Sequence, residues 1–219
     1  MTDPTTLSFA EVEAAGLTDW RQLFEALHTR FETGGFNQGL ALVTRIAALA
    51  DEANHHPDVD LRYPHVNVTL SSHDVAGVTS RDIDLARSIS AAAAELGVEA
   101  DPTANAVVEI ALDSPDYRTV KPFWRAVLGL QDSPTHDQEL LDPSGALPTL
   151  WFQETTPHEE PRQRFHLDIR VPPEVAQERV AAALAAGGVL VSDEQAPRFT
   201  ILADAQGNKV CVTTGLGRD

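Results

Sequence analysis

Apolar residues recur at helical spacing along residues 36–54. They fall at Phe36, Leu40, Val43, Ala47 and Ala50, and Leu42, Ile46 and Leu49 widen the stripe. Steps of three and four predict a helix with one broad buried face. A short strand is expected before it at residues 27–33, and Pro57 ends the helical run.

Polar and apolar side chains alternate strictly along residues 65–73. One face carries Val66, Val68 and Leu70, and the other carries His65, Asn67, Thr69, Ser71 and His73. This period of two predicts a half-buried strand, with residues 59–63 as its hairpin partner. The segment that follows, Thr79-Ser80-Arg81-Asp82, has the pattern of a capping box and predicts a helix through about Leu96.

After a short linker at residues 101–105, the same order of strands and helices occurs twice. A strand at 107–112 and a helix at 117–128 precede short strands that end at 149–153. A strand at 165–171 and a helix at 173–186 then precede strands at 199–202 and 209–213. Two such units of about 50 residues indicate a duplicated module. We therefore divide the chain into domains at 1–100 and 106–219.

Composition narrows the range of functions. Sixteen basic residues against 33 acidic ones give a formal charge of −17, and a surface this negative repels nucleic-acid phosphates and anionic lipids. The single cysteine cannot form an internal disulfide. The N-terminus shows no secretory signal, and no run in the sequence approaches the roughly 18 apolar residues that a membrane helix needs. We expect a cytoplasmic protein that binds neither nucleic acid nor membrane.

Four of the eight histidines lie between residues 55 and 73. His55 and His56 follow a helix, and His73 ends the polar face of a strand, so the hairpin between them can bring all three to one sheet edge. Converging imidazoles can supply both an acid and a base near neutral pH. Structural alternatives stay open: His55 can cap the helix, and His73 can be a solvated strand residue. A zinc site is disfavoured because the adjacent pair lacks the usual ligand spacing.

The ordered set of motifs across residues 17–97 closely resembles the pterin-4a-carbinolamine dehydratase family. The set comprises Asp51-Glu52-Ala53-Asn54-His55-His56-Pro57, Tyr63, Thr69-Leu70-Ser71-Ser72-His73-Asp74 and Gly77-Val78-Thr79-Ser80-Arg81-Asp82. Two positions depart from the family pattern: Asp51 stands where Glu is common, and Val59 where an aromatic residue is common.

The resemblance implies dehydration of 4a-hydroxytetrahydropterin to quinonoid dihydropterin, as in tetrahydrobiopterin recycling, without a cofactor. It implies that His55 and His73 form the acid–base pair and that His56 binds or orients the pterin. It also implies a substrate-binding set of Asp51, Pro57, Ser72, Asp74 and Asp82. Asp82 is equally explained as part of the capping box.

Residues 106–216 resemble the glyoxalase-like branch of the vicinal-oxygen-chelate superfamily. The resemblance rests on Phe123-Trp124, Val127-Leu128-Gly129-Leu130, Phe165-His166-Leu167-Asp168, and Asp204 with Gly207-Asn208-Lys209-Val210-Cys211-Val212. It implies paired βαβββ modules and, in many members, a divalent metal. Here the ligand positions are depleted: Glu109 stands where His is common and Cys211 where Glu is common, while Gln153 or Glu154 ends the first module. Glu109 and His166 are weak metal candidates, and His166 and Asp168 can equally be polar strand residues.

The sequence thus predicts two α+β domains, an antiparallel sheet with helices on one face followed by a paired βαβββ domain. The predicted function is that of a hydro-lyase acting on a small-molecule pterin, in a homo-oligomer. Two alternatives stay open: a non-catalytic dimerisation or assembly module, and a metal-dependent lyase or dioxygenase activity in the second domain.

Overall fold

The computed structural model describes residues 5–128, 130–145, 147–157, 165–185, 187–203 and 209–218. The chain forms two compact units, one running to Ala106 and resuming at Gly215, the other spanning Val107–Thr214. The predicted linker is an ordered turn, because the Asp101 carboxylate accepts hydrogen bonds from both the backbone and the hydroxyl of Thr103. The return of the chain after residue 214 was not part of the sequence prediction.

The first unit is an antiparallel sheet with helices packed on its apolar face. Its elements in chain order are α1 (Phe9–Ala14), β1 (Arg21–Leu23), β2 (Ala26–Glu32), α2 (Phe36–Ala53), β3 (Asp58–Leu61), β4 (His65–Leu70), α3 (Ser80–Glu95) and β5 (Glu99–Asp101). The strand order is β1-β2-β4-β3, and β5 pairs with β2. The predicted α+β class and hairpin are confirmed.

The central strands β2 and β4 bury alternate residues, as the sequence pattern predicts. Leu27 pairs with Leu70 and Phe31 with Val66, and all four side chains are fully buried. They meet Leu42 and Ile46 of α2 and Ile83, Ala86 and Ile89 of α3 in one core cluster. The opposite face of the sheet keeps the polar residues His28, Arg30, Asn67 and Thr69.

Helix α2 buries only part of the broad apolar face that the sequence predicts. Its buried residues are Gly39, Leu42, Ile46 and Ala50, whereas Phe36 and Leu40 are 49% and 50% exposed. A Cβ atom built on Gly39 would lie 2.5 Å from Cδ1 of Leu61. Gly39 therefore lies on the buried side of the helix, because the absence of a side chain there allows α2 to approach Leu61 closely.

Helix α3 begins with the capping box that its sequence predicts. The Thr79 hydroxyl accepts a hydrogen bond from the Arg81 backbone N–H, and the Asp82 carboxylate accepts one from the Thr79 backbone N–H. Both interactions satisfy N–H groups that the first helical turn leaves without partners. Residues 79–82 are thereby fixed relative to the end of strand β4.

The second unit is an eight-stranded sheet built from two βαβββ modules. The first contains β6 (Val107–Ser114), α4 (Tyr117–Leu128), β7 (Gln131–Asp132), β8 (Glu139–Leu141) and β9 (Thr149–Glu154); the second contains β10 (Phe165–Arg170), α5 (Pro173–Ala185), β11 (Val189–Ser192), β12 (Phe199–Ala203) and β13 (Lys209–Thr213). The strand order is β11-β12-β13-β10-β6-β9-β8-β7. Strands β6 and β10 join the modules as an antiparallel pair, which confirms the predicted duplication.

The two faces of this sheet differ in character. One face supplies a core cluster in each module, formed by Leu112, Leu150 and Phe152 with α4 and by Val171, Leu202 and Val212 with α5. Residues that alternate with these in sequence point to the other face. That second face carries polar and ionisable residues, among them Glu109, Asp113, His166, Asp168 and Cys211.

Some residues of the predicted motifs lie outside the described part of the chain, namely Gly129, Ala186, Asp204, Gly207 and Asn208. Within the described residues, the helices are all too short or too polar to cross a membrane.

Candidate active site

His55 is placed by the end of helix α2. Asn54 follows the helix in the left-handed conformation, with φ of 47°, which asparagine tolerates better than most residues. The backbone N–H of His55 then bonds to the Ala50 carbonyl at 3.0 Å. This hydrogen bond holds His55 against the end of the helix, and its side chain is 8% exposed.

The His55 ring forms a hydrogen bond with the fully buried carboxylate of Asp82. Nε2 of His55 donates to Oδ1 of Asp82 at 2.6 Å. The other oxygen, Oδ2, accepts hydrogen bonds of 2.7 Å from the Ser72 hydroxyl and from the Thr79 backbone N–H. Asp82 is 0% exposed, so its oxygens face protein donors rather than a bound molecule.

This arrangement fixes the tautomer of His55. Because Asp82 accepts at Nε2, the neutral ring carries its proton on Nε2 and keeps a lone pair on Nδ1. The same carboxylate stabilises the imidazolium that forms when Nδ1 takes up a proton. Within the described residues, Nδ1 has no hydrogen-bond partner, and it is the nitrogen available to a substrate.

The turn after strand β4 carries His73. Ser72 pairs with Gly77 across this turn through backbone hydrogen bonds, and Ser72 also bonds Asp82. Asp74 follows His73, and its carboxylate accepts a hydrogen bond of 2.6 Å from the Arg81 guanidinium. This guanidinium lowers the pKa of the Asp74 carboxyl. Because Ser72 bonds Asp82, which also bonds His55, hydrogen bonds connect this turn to His55. The His73 side chain is exposed between Ser72 and Asp74.

The side chain of His56, the residue after His55, is exposed to solvent. Its Nε2 lies 3.1 Å from Oδ1 of Asp51, and the two side chains are 61% and 81% exposed. Pro57 is half-buried at the start of strand β3, and Tyr63 is 72% exposed. The two adjacent histidines therefore have different surroundings, one buried against a carboxylate and one accessible.

The structure also changes what two of the sequence candidates can do. Asp82 and Ser72 were expected to bind substrate, but both side chains are buried and bond to each other. Their geometry is that of residues that position His55. The sequence shows the Thr-x-x-Asp capping box. It does not show that the Asp82 carboxylate also bonds His55, because this contact depends on the fold that brings residues 55 and 82 together.

A second cluster of ionisable groups lies on the polar face of the second unit. The ligand atoms of His166, Asp168 and Cys211 all lie within 4.8 Å of one another. Burial and the neighbouring Asp168 carboxylate raise the pKa of the Cys211 thiol to about 12. The sequence pointed to Glu109 with His166. The structure places Glu109 opposite Asp168 in the strand register, and the cluster itself uses Asp168 and Cys211, both of which the sequence gave little weight.

Gln153 and Glu154, the other sequence candidates in this unit, are exposed at the end of strand β9. The Gln153 amide donates to the Glu154 carbonyl at 3.4 Å. Neither belongs to the cluster of three.

The first unit is thus an α+β domain with a buried histidine–carboxylate pair at one end of its sheet, beside two exposed histidines. Residues 5–92 match the family model "Pterin 4 alpha carbinolamine dehydratase". A protein of Thermosynechococcus vestitus, named as a candidate pterin-4-alpha-carbinolamine dehydratase, is 42% identical over 86 residues, which make up 38% of this chain and 90% of that protein. The chain belongs, through this unit, to the pterin-4a-carbinolamine dehydratase family.

Two solved structures are also similar to this unit. A transcriptional coactivator/pterin dehydratase from Brucella melitensis is 31% identical and covers 41% of this chain and 99% of its own, with a TM-score of 0.39. A pterin dehydratase-like protein identified as a RuBisCO assembly factor in the alpha-carboxysome is 28% identical and covers 34% of this chain and 89% of its own, with a TM-score of 0.30.

The second unit matches a different family model, "Glyoxalase-like domain", over residues 109–213. A glyoxalase/bleomycin resistance protein/dioxygenase superfamily member from Vibrio splendidus is 16% identical and covers 50% of this chain and 99% of its own, with a TM-score of 0.34. The two units of the chain thus match two different family models, one in residues 5–92 and the other in residues 109–213.

Proposed function

We propose that the first unit dehydrates a pterin-4a-carbinolamine to the quinonoid dihydropterin. The observation that carries this proposal is the buried contact between His55 and Asp82 beside the turn that bears His73. This contact fixes the tautomer of His55, and membership of the family supports a pterin as the substrate.

The reaction requires two proton transfers and no change of oxidation state. The proton on N5 leaves, the N5 lone pair forms the new C=N bond to C4a, and the C4a hydroxyl departs as water after it gains a proton. Residues that move protons at these two atoms therefore suffice, and the proposed reaction uses no cofactor. Each positioned acid or base typically contributes about 10²–10⁴-fold to the rate.

His55 is suited to the role of base. Its Nδ1 has a lone pair, and Asp82 stabilises the cation that results from protonation. His73 is exposed on the neighbouring turn and is suited to protonate the leaving hydroxyl. We assign His56, which Asp51 orients, to binding the pterin, together with Pro57 and Asp74. Ser72 and Asp82 position His55 and do not contact the pterin themselves.

The test is a coupled assay in which an aromatic amino-acid hydroxylase generates the carbinolamine. Addition of this protein is expected to speed the appearance of the quinonoid product. His55→Ala and His73→Ala should each lower turnover by about 10²-fold or more, whereas His136→Ala, an exposed histidine of the second unit, should leave it unchanged. Circular dichroism checks that the variants fold.

The rival proposal from the sequence is a non-catalytic assembly module. It predicts that the wild-type protein does not accelerate product formation and that the histidine variants behave like wild type. Such a result, with folded protein, would contradict the dehydratase proposal.

We also propose that the protein is a homo-oligomer that acts in the cytoplasm on a small-molecule pterin, with neither nucleic acid nor membrane as a partner. Family membership and the acidic surface support these expectations. Sedimentation equilibrium tests the first of them directly, since a protein that stays monomeric at all concentrations would contradict it.

A further inference from the structure

The segment that precedes helix α1 runs beside the end of the turn at residues 72–77. The backbone N–H of Leu7 donates to the Val78 carbonyl at 2.7 Å. The residue before Val78, Gly77, pairs with Ser72 in an antiparallel bridge, in which the Ser72 N–H donates to the Gly77 carbonyl at 2.9 Å. Successive residues of an extended strand direct their backbone groups to opposite sides. Gly77 and Val78 therefore lie between Ser72 on one side and Leu7 on the other.

The same segment also contacts the turn through side chains. A Cβ atom built on Gly77 would lie 2.9 Å from Cγ2 of Thr6, so the Thr6 methyl group packs directly on the Gly77 backbone. The Leu7 side chain packs against the core cluster of the first unit, and Val78, which is 1% exposed, belongs to that cluster. A residue larger than glycine at position 77 would push Thr6 away from the turn.

The turn contains a residue in an unfavourable backbone conformation. Ala76 has φ of 51°, in the left-handed region that is uncommon for residues other than glycine, asparagine and aspartate. Residues keep such conformations where the surrounding structure determines them. The nearest backbone hydrogen bonds along the chain, from Ser72 to Gly77 and from Leu7 to Val78, are suited to hold this conformation.

Helix α1 fixes the segment at its other end. Ser8 begins the helix in a capping box with Glu11, and Val12 is buried in the core cluster of the first unit. Just after the helix, the Ala15 carbonyl accepts a hydrogen bond of 2.9 Å from Arg87 of helix α3. The segment before the helix is therefore held by the core of the first unit on one side and by the turn on the other.

We propose that Leu7 is a positioning residue for the dehydration, acting on His73 through the turn at residues 72–77. The proposal rests on the function proposed above, in which His73 protonates the leaving hydroxyl. Because the His73 side chain is exposed, its place is set mainly by the backbone that carries it. A shift of about 1 Å at a reacting group can lower a rate by about 10²-fold, so the Leu7 contact is expected to affect kcat and to leave KM unchanged.

The first experiment removes the hydrogen bond between the segment and the turn. Leu7→Pro lacks the backbone N–H that bonds the Val78 carbonyl. Thr5→Pro is the matched control, because it places a proline in the same segment and keeps that N–H. In the coupled hydroxylase assay, Leu7→Pro should lower kcat about tenfold with KM unchanged, and Thr5→Pro should keep the wild-type kcat. Circular dichroism and urea unfolding check that both variants are folded in the assay.

The second experiment uses the contact between Gly77 and Thr6. The methyl group added in Gly77→Ala displaces Thr6, and we expect it to lower kcat about three- to tenfold. Adding Thr6→Ala to this variant removes the atom that the new methyl group meets, so the double variant should regain most of the lost kcat. Gly35→Ala is the control and should keep the wild-type kcat, because a Cβ atom there would meet no described atom within 4 Å apart from its chain neighbours.

The imidazole signal of His73 in NMR spectra is a readout that does not depend on turnover, and its absence from His73→Ala identifies it. Leu7→Pro and Gly77→Ala should shift this signal, whereas the signal of His136, an exposed histidine of the second unit, should not move. Unchanged His73 signals in both variants, or wild-type kcat in both, would overturn the proposal. A wild-type protein without turnover would contradict the dehydratase function instead, and the His73 signal would still show whether Leu7 holds the turn.

Discussion

Nε2 of His55 and Oδ1 of Asp82 lie 2.6 Å apart, and their side chains are 8% and 0% exposed. The pair joins the residue that follows helix α2 to the first turn of helix α3. Buried pairs of this kind are more sensitive to the loss of one partner than to joint replacement, since the remaining group is left without compensation.

Asp82→Asn should lower dehydratase turnover while the protein still folds. An amide oxygen can still accept hydrogen bonds, but the amide does not stabilise an imidazolium as the carboxylate does. We expect turnover to fall by about 10–100-fold, with the loss in kcat rather than KM, because Asp82 does not contact the substrate. The coupled hydroxylase assay across a range of pH measures the effect.

The matched control for this variant is Asp84→Asn on the same helix, which removes a carboxylate that is 78% exposed. Equal activity of the Asp82 and Asp84 variants would show that the buried carboxylate has no part in the chemistry.

Ser72→Ala should destabilise the first unit. The change removes a buried donor to Oδ2 of Asp82, at an expected cost of about 1–3 kcal/mol in the free energy of unfolding. The adjacent Ser71→Ala is the control and should change that free energy by less than about 0.5 kcal/mol. Urea unfolding followed by circular dichroism compares the two, and equal values would indicate that the Ser72 bond adds nothing.

Asp51→Asn should raise KM with little change in kcat. In the proposed function His56 binds the pterin, and Asp51 only orients its ring at 3.1 Å. Because both groups are exposed, the effect should be modest, about two- to fivefold. Initial rates at several pterin concentrations separate KM from kcat, and a fall in kcat alone would assign His56 to the chemical step.

His28 should make the first unit less stable in acid. Burial on the polar face of strand β2 lowers the pKa of this histidine from 6.5 to about 4. The unfolded chain then takes up a proton between pH 6.5 and 4 that the folded chain does not, so stability is fully present above pH 6.5 and is lost as the pH falls toward 4. The loss should reach roughly 2–3 kcal/mol.

The contribution of His28 is isolated by comparing unfolding curves of wild type and His28→Gln at pH 7 and pH 4.5. The variant should lose less stability over this interval than the wild type does. His73→Gln serves as the control, since His73 is exposed, and should keep the wild-type dependence. Parallel losses in wild type and His28→Gln would indicate that other groups control the acid response.

The sequence predicted β2, α2, β3, β4 and α3 of the first unit, because their signals are local, but it did not predict α1, β1 or β5. Strict alternation located β4, but the strand ends at Leu70, so His73 lies in the turn after it and not on the strand as predicted. Thr79 with Asp82 located the start of α3. The orientation of α2 could not be predicted in the same way, since its apolar residues form two overlapping stripes. The choice between them depends on how closely Gly39 can approach Leu61, a contact between distant parts of the chain.

The same distinction between local and distant contacts explains which residues of the candidate sites could be identified from the sequence. His55, His56 and His73 were identified by an ordered motif, but the burial of Asp82 and its bond to His55 follow from packing. In the second unit, Cys211 was discounted because it departs from a common ligand. Its proximity to Asp168 arises from the parallel pairing of β10 with β13, which the duplicated pattern alone does not specify.

The last described residues of the chain belong to the first unit rather than the second. A Cβ atom on Gly215 would lie 2.1 Å from the Phe9 ring, so this glycine fills a place beside helix α1 that a larger residue cannot occupy. The first unit is consequently built from two separate segments of the chain, with the second unit between them in the sequence. Cutting the chain at Ala106 would remove part of the first domain along with the second.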